Sequence, residues 1–208
     1  MEASFWQSRW AANQIGFHET DVHPMLLAHG ASLGAAGRVF VPLCGKSHDM
    51  PWLRAQGFEV IGIELADIAV RAFFAEHGMT PAHARLEAFE EFSAEGYRLL
   101  CGDYFALTHA MIGPFTAIYD RAALIALPAD MRRDYTVKMT ELAARGTRML
   151  LVTVQYDISV SAPPPFAVTA AEVTTLYGDA WAIEDHGSRT AEVKGQAATE
   201  QAFMLTRL

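Results

Sequence analysis

Cysteine is scarce in this chain, a basic surplus is missing, and no apolar run is long enough to cross a bilayer. Each absence removes a class of protein. Two cysteines, Cys44 and Cys101, cannot make a disulfide framework or a thiolate metal cluster, which points to a reducing, cytoplasmic setting. The longest apolar stretch, Met149–Val154, is far shorter than the roughly 20 residues that a membrane helix needs. The first residues, Met1-Glu-Ala-Ser-Phe-Trp-Gln-Ser-Arg-Trp10, have neither the basic start nor the apolar centre of a signal peptide. A formal charge of −8 argues against nucleic acid or an anionic membrane as a partner, since both reward a basic face. Metal-ligand spacings are also lacking, so no metal is expected. What remains, at 208 residues with 51% hydrophobic and 19% charged, is a globular chain read as a single domain over residues 1–208 and as a monomer.

What is present is an alternation of strand-like and helix-like segments. Residues 4–13 read as a helix with Trp6 and Trp10 on one face, stopped by Gly16, and His23 to Ala31 as a second short one. Strands are expected at Arg38–Pro42, Glu59–Glu64, Arg98–Cys101, Phe115–Asp120, Thr147–Val154, Trp181–Asp185 and Gln201–Thr206. Helices fall between them. One starts at Ser47 or Asp49 and ends at Gly57, with Pro51 favouring the later start, and one runs from Ile68 to His77 and is closed by Gly78. Another lies between Pro128 and Gly146, with Met131, Tyr135, Met139 and Leu142 near the helical period, and a short one covers Ala170–Tyr177. The stretch Ala82–Tyr97 is polar and weakly patterned and receives no element. Alternating β and α of this kind implies a mostly parallel sheet with helices on both faces.

The most informative segment is Val39-Phe-Val-Pro-Leu-Cys-Gly-Lys-Ser47 followed by Val60-Ile-Gly-Ile-Glu64. An apolar strand ends at a glycine turn, and the next strand ends in a carboxylate. In a βαβ unit the glycine lets a ligand approach the backbone and the acid accepts from ribose hydroxyls. Gly45-Lys46-Ser47 is not a P-loop, because the first glycine of that motif would have to stand at Phe40. The dinucleotide fingerprint is absent too, with Leu43, Gly45 and His48 where a phosphate loop wants small residues. A nucleoside without a pyrophosphate needs neither.

Further candidates sit at other strand ends. Asp103 follows the third strand, where it either accepts from an adenine amino group or simply caps a turn. Arg121 follows Asp120 at the carboxyl end of the fourth strand, the edge where open α/β sheets bind ligands; it either offsets an anion or pairs with Asp120. Trp6, Trp10 and Phe17 wall a ligand or belong to the core. His18 and His48 read as structural, and Cys44 as a small buried thiol.

Taken together these residues resemble the thiopurine S-methyltransferase family of class I S-adenosylmethionine-dependent methyltransferases. The resemblance rests on Phe5-Trp6-Gln-Ser-Arg-Trp10, Gly16-Phe-His18, the Arg38–Ser47 and Val60–Glu64 blocks, Tyr119-Asp-Arg-Ala-Ala-Leu124 and Pro164-Pro-Phe166, and spans nearly the whole chain. It implies a three-layer, Rossmann-like αβα fold with a seven-stranded, mostly parallel sheet, the last strand antiparallel, and a helical cover over residues 1–34. It implies S-adenosylmethionine as cofactor, covered by Trp6, Trp10 and residues near Phe17. Leu43 and Gly45 line that cofactor, Glu64 takes its ribose, and Asp103 with Tyr104 flanks its adenine. Arg121 lies where cofactor and acceptor meet, as a cofactor-binding, substrate-binding and catalytic residue. Phe17 also contacts the acceptor, and Arg189 is the match for a family arginine that reaches it. Ala191–Ala198 departs from the family pattern, and Ser161-Ala162 stands where a glycine is usual. The implied reaction is methyl transfer to the sulfur of aromatic or heterocyclic thiols, extending to selenium or tellurium compounds, in a detoxifying role. On the residues alone, an NAD-dependent oxidoreductase and a non-catalytic nucleoside-binding protein stay open.

Overall fold

The computed structural model describes residues 3–159 and 161–208. Its helices are α1 (Ala3–Ala11), α2 (Pro24–His29), α3 (Asp49–Ala55), α4 (Asp67–Glu76), α5 (His109–Ile112), α6 (Ala129–Leu142) and α7 (Ala170–Tyr177). The strands are β1 (Arg38–Val41), β2 (Glu59–Glu64), β3 (Ala82–Leu86), β4 (Phe89–Ala94), β5 (Tyr97–Cys101), β6 (Ala117–Arg121), β7 (Arg148–Tyr156), β8 (Trp181–Val193) and β9 (Gln196–Arg207). They form one sheet in the order β3-β4-β5-β2-β1-β6-β7-β9-β8.

The centre of that sheet follows from its apolar runs. β1 lies parallel between β2 and β6, with β5 outside β2 and β7 outside β6. Successive side chains enter opposite layers. Phe40, Ile61, Ile118 and Met149 pack with Tyr135, Met139 and Leu142 of α6 and Val173 and Tyr177 of α7. Val39, Val60, Ala117 and Leu150 pack with Met50 and Leu53 of α3 and Val70, Phe73 and Phe74 of α4. A strand covered on both faces cannot alternate apolar with polar, which is why these segments read as continuous hydrophobic runs. Each fully buried Phe or Leu contributes about 1.5–3 kcal/mol, so the two layers together fix the parallel register. No helix among the described residues is long and apolar enough to cross a membrane.

Among the described residues the expectation of seven strands is corrected to nine, and of the eight strand pairings four are parallel and four antiparallel. The two extra strands are the β3–β4 hairpin, which occupies the stretch left without an element. Its pattern is weak for a physical reason. Phe89 of β4 enters one core layer and Phe92 the other, three residues apart, so no single face repeats every second residue. The antiparallel last strand is present as β9, inserted between β7 and β8. β8 is longer than expected and turns into β9 at Lys194 and Gly195, whose φ values of 49° and 79° are those of a tight hairpin turn. The segment that departs from the family pattern is therefore the tip of a hairpin.

Candidate active site

The carboxyl ends of β1, β2, β5 and β6 open into one cavity of about 620 Å³. After β1 the backbone enters the left-handed region at Leu43 (φ 47°) and at Gly45 (φ 53°). Glycine takes that conformation freely, whereas leucine there costs roughly 1–2 kcal/mol, strain of the kind that gathers at functional sites. Hydrogen bonds hold the turn in place. The Cys44 N–H donates to the Ile63 carbonyl (2.9 Å), and the Gly45 N–H donates to Glu64 Oε2 (2.9 Å). The other carboxylate oxygen, Oε1, accepts from the Ala66 N–H at 2.8 Å.

Glu64 thus ties the end of β2 to the β1 turn, and it is only 6% exposed. Burial raises its carboxyl above the ordinary value, partly offset by the backbone N–H groups of Ala66, Gly45 and Leu65. Lys46 pairs with Glu76, and Ser47 Oγ accepts from the Asp49 N–H at the start of α3 (3.1 Å). Both side chains that mimicked a P-loop are thereby engaged elsewhere.

Aromatic rings close the cavity over this turn. Trp10 is buried, and its indole lies so near Gly45 that a Cβ there would sit 3.1 Å from Cζ2. Phe17 meets Trp6 and Trp10 edge-to-face, with centroids 5.8 and 5.5 Å away. The helical spacing of the two tryptophans therefore serves the cavity wall as well as packing. His18 borders the cavity beside them and stacks on His48; burial lowers its pKa, assisted by the Lys46 and His48 charges. Cys44 is buried, and burial pushes its thiol well up, which keeps it protonated.

After β5, Asp103 caps a short 3₁₀ turn by accepting the Phe105 N–H at 2.9 Å, and its side chain is otherwise exposed at the cavity. Tyr104 borders the cavity, stacks on Tyr135 and donates to the Tyr135 carbonyl at 3.1 Å. Gly102, just before, has no room for a side chain, because a Cβ would overlap the Phe89 ring.

At the end of β6 the two neighbouring charges part company. Asp120 is fully buried and accepts from the Tyr135 hydroxyl (2.7 Å) and the Leu124 N–H (3.1 Å). Arg121 does not pair with it. Its guanidinium donates to the Phe17 carbonyl at 3.2 Å and forms a short ion pair with Glu19. Ala122 follows at φ 60°, a second strained residue at the cavity edge.

Trp6, Trp10, Phe17, Leu43 and Gly45 thus share one cavity with Glu64, Asp103, Tyr104 and Arg121. Arg189 is not among the residues bordering it. It lies on β8 opposite Glu200 of β9, with Nε 3.5 Å from Glu200 Oε2, and Glu200 is the one that borders the cavity. Residues missed by sequence reasoning are Glu19, Glu200, Lys194 and Thr153. Lys194 stands at the hairpin tip and donates to the Ala162 carbonyl at 2.6 Å. Thr153 Oγ1, fully buried at the cavity, has no hydrogen-bond partner among the described residues. The Glu200 carboxyl also receives a bond from His23 Nε2 (3.2 Å). Burial alone would raise Glu200, but that bond and the charges of Arg189 and Arg121 hold it below the ordinary value. The β8–β9 register pairs Arg189 with Glu200, and the sequence pattern did not carry that register.

Comparison with known proteins identifies the family and the fold. The Thiopurine S-methyltransferase family model matches residues 1–206. The chain is 48% identical over 186 residues to a thiopurine S-methyltransferase of Pseudomonas fluorescens SBW25, covering 88% of this chain and 85% of that one. It is 45% identical to one of Teredinibacter turnerae, covering 100% of this chain and 98% of the other. Among solved structures, a Burkholderia thailandensis 1,6-didemethyltoxoflavin-N1-methyltransferase with bound S-adenosylhomocysteine superposes with a TM-score of 0.69 at 16% identity, covering 98% and 87%. The N-methyltransferase NodS of Bradyrhizobium japonicum WM9, in complex with S-adenosylhomocysteine, gives 0.68 at 12% identity, covering 97% of each chain. At such identities the two structures speak for the fold.

Proposed function

This chain belongs to the thiopurine S-methyltransferase family, and from that premise we propose that it methylates the sulfur of aromatic or heterocyclic thiols, with the methyl donor at Glu64 and the acceptor at Arg121. It is an S-adenosylmethionine-dependent methyltransferase, which sets aside the nicotinamide and non-catalytic readings. The observation that carries the site assignment is the buried Glu64 carboxylate at the end of β2, open to the same cavity as Arg121.

The residues fit the donor. Each Glu64 oxygen takes one backbone N–H, which holds the carboxylate in place while its remaining lone pairs stay free for ribose hydroxyls. Leu43 and Gly45 lie beside it, Asp103 and Tyr104 suit the adenine, and Trp6, Trp10 and Phe17 of the cover (residues 1–34, the first two outside the described ones) form an aromatic roof over the cavity. S-adenosylmethionine supplies an electrophilic methyl group on a sulfonium centre. Ring faces attract such a soft cation by about 0.5–2 kcal/mol, depending on desolvation. Holding the reacting groups in line contributes up to about 7–11 kcal/mol of the barrier. The Arg121 guanidinium favours the thiolate form of an acceptor, so no dedicated base is required. Selenols and tellurols present the same soft nucleophile once ionised. The protein acts in this reading as a cytoplasmic monomer on small molecules, which gel filtration tests for the oligomeric part.

An acceptor panel with methyl-labelled donor tests the reading: 6-mercaptopurine, thiophenols, selenite and tellurite. The expected result is label in thiol products at the least. A panel in which every thiol stays unlabelled would overturn it.

A further inference from the structure

The acceptor end of the cavity has a feature that the thiol reading does not explain. The cation expected to meet an anionic acceptor is already engaged by the protein's own carboxylate. Arg121 is mostly buried, and its guanidinium holds Glu19 and the Phe17 carbonyl, both from the segment between α1 and α2. Beside it the same compensation recurs. Glu200 lies against Arg189 and His23, and Glu19 lies 3.9 Å from His23 Nε2. The His23 ring is held by two hydrogen bonds. Its Nδ1 accepts the Met25 N–H at the start of α2, so the ring hydrogen sits on Nε2 and is donated to Glu200. Two carboxylates thus face two guanidiniums. The hairpin tip repeats the balance, with Glu192 and Lys194 both bordering the cavity. Among the described residues, Arg121 and Arg189 thus each already face a carboxylate.

Resting on the placement of the acceptor at Arg121, we propose that Glu19 sets acceptor specificity: by holding the Arg121 guanidinium it reserves this end of the cavity for acceptors without a fixed negative charge. A thiol that loses its proton in place presents one charge on a soft atom, and the guanidinium can offset it. An acceptor that also carries a carboxylate, or an oxyanion such as selenite, brings charge that must expel Glu19 or lie beside Glu19 and Glu200. Like charges held together in a partly buried site disfavour such a complex, and specificity of this kind comes from the repulsive element as much as from the attractive one.

Calorimetry on protein saturated with S-adenosylhomocysteine reads this without relying on turnover. The probes are 2-mercaptobenzoate, its neutral amide 2-mercaptobenzamide, and benzoate, which has no thiol. For Glu19→Gln the account predicts that both carboxylates bind about two- to fivefold tighter, the range of a partly exposed ion pair, while the amide does not change. Glu19→Asp should restore the discrimination against the carboxylates. If only benzoate responds and neither thiol binds, the thiol reading fails while the role of Glu19 stands. Equal shifts for acid and amide, or no shift for benzoate, would overturn the proposal. Thermal unfolding of both variants, with and without S-adenosylhomocysteine, checks that the cover stays folded.

Discussion

Asp120 and Arg121 are adjacent in sequence, yet they serve different structures. Asp120 points into the core, where burial raises its carboxyl from 3.8 to about 6 against the opposing bonds from Tyr135, Leu124 and Ala123. A carboxyl with a folded value above its unfolded one binds more protons in the folded chain. Stability from this group is therefore fullest below about pH 4, falls as pH rises toward 6, and stays reduced above that. Asp120→Asn keeps an oxygen for the Leu124 N–H and removes the titration. Urea unfolding across pH should show the stability of the wild type, relative to this variant, dropping by about 2–3 kcal/mol between pH 4 and 7. Glu64 has the same sign in both proteins and cancels in the difference. A difference that does not change with pH would contradict the account. Arg121, by contrast, reaches Glu19 across 102 positions of chain. No local pattern announces such a pair, which is why the adjacent Asp120 was the natural partner to expect from sequence.

At the scale of elements, the strands buried on both faces were legible because burial on two sides makes uninterrupted apolar runs. The turns that follow them were legible too, since a run that stops at Gly45 or Glu64 marks a strand end by itself. The β3–β4 hairpin was not, because its two buried rings serve opposite layers. It nevertheless supports the site: Phe89 fills the space against Gly102, immediately before Asp103 and Tyr104. Gly102→Ala should force that ring aside at a cost of about 1–3 kcal/mol, the usual range for overpacking. The expected result is a lower melting temperature together with severalfold weaker S-adenosylhomocysteine binding, because the turn moves with the ring. Lost stability with unchanged affinity would mean that the hairpin packs against the turn without positioning it.

Across the whole molecule, the parallel strands set their carboxyl ends side by side, and residues far apart in sequence meet there for that reason alone. Leu43, Glu64, Tyr104 and Arg121 come from four different strand ends and border one cavity. Their residue types and strand-end positions could be read in advance. The closing partners could not, because Glu19, Lys194 and Glu200 depend on how the cover and the β8–β9 hairpin fold back over the sheet. Arg189 is the instructive case: matched by position to a family arginine, it lies one pairing away from the cavity, behind Glu200. The central claim is that the methyl donor is held by Glu64, and titration of S-adenosylhomocysteine into wild type, Glu64→Gln and Glu64→Ala tests it most directly. Loss of hydrogen bonds to a charged group predicts affinity about 10- to 100-fold weaker for the alanine variant, with the glutamine variant between the two. A folded Glu64→Ala protein that binds as tightly as wild type would contradict the account.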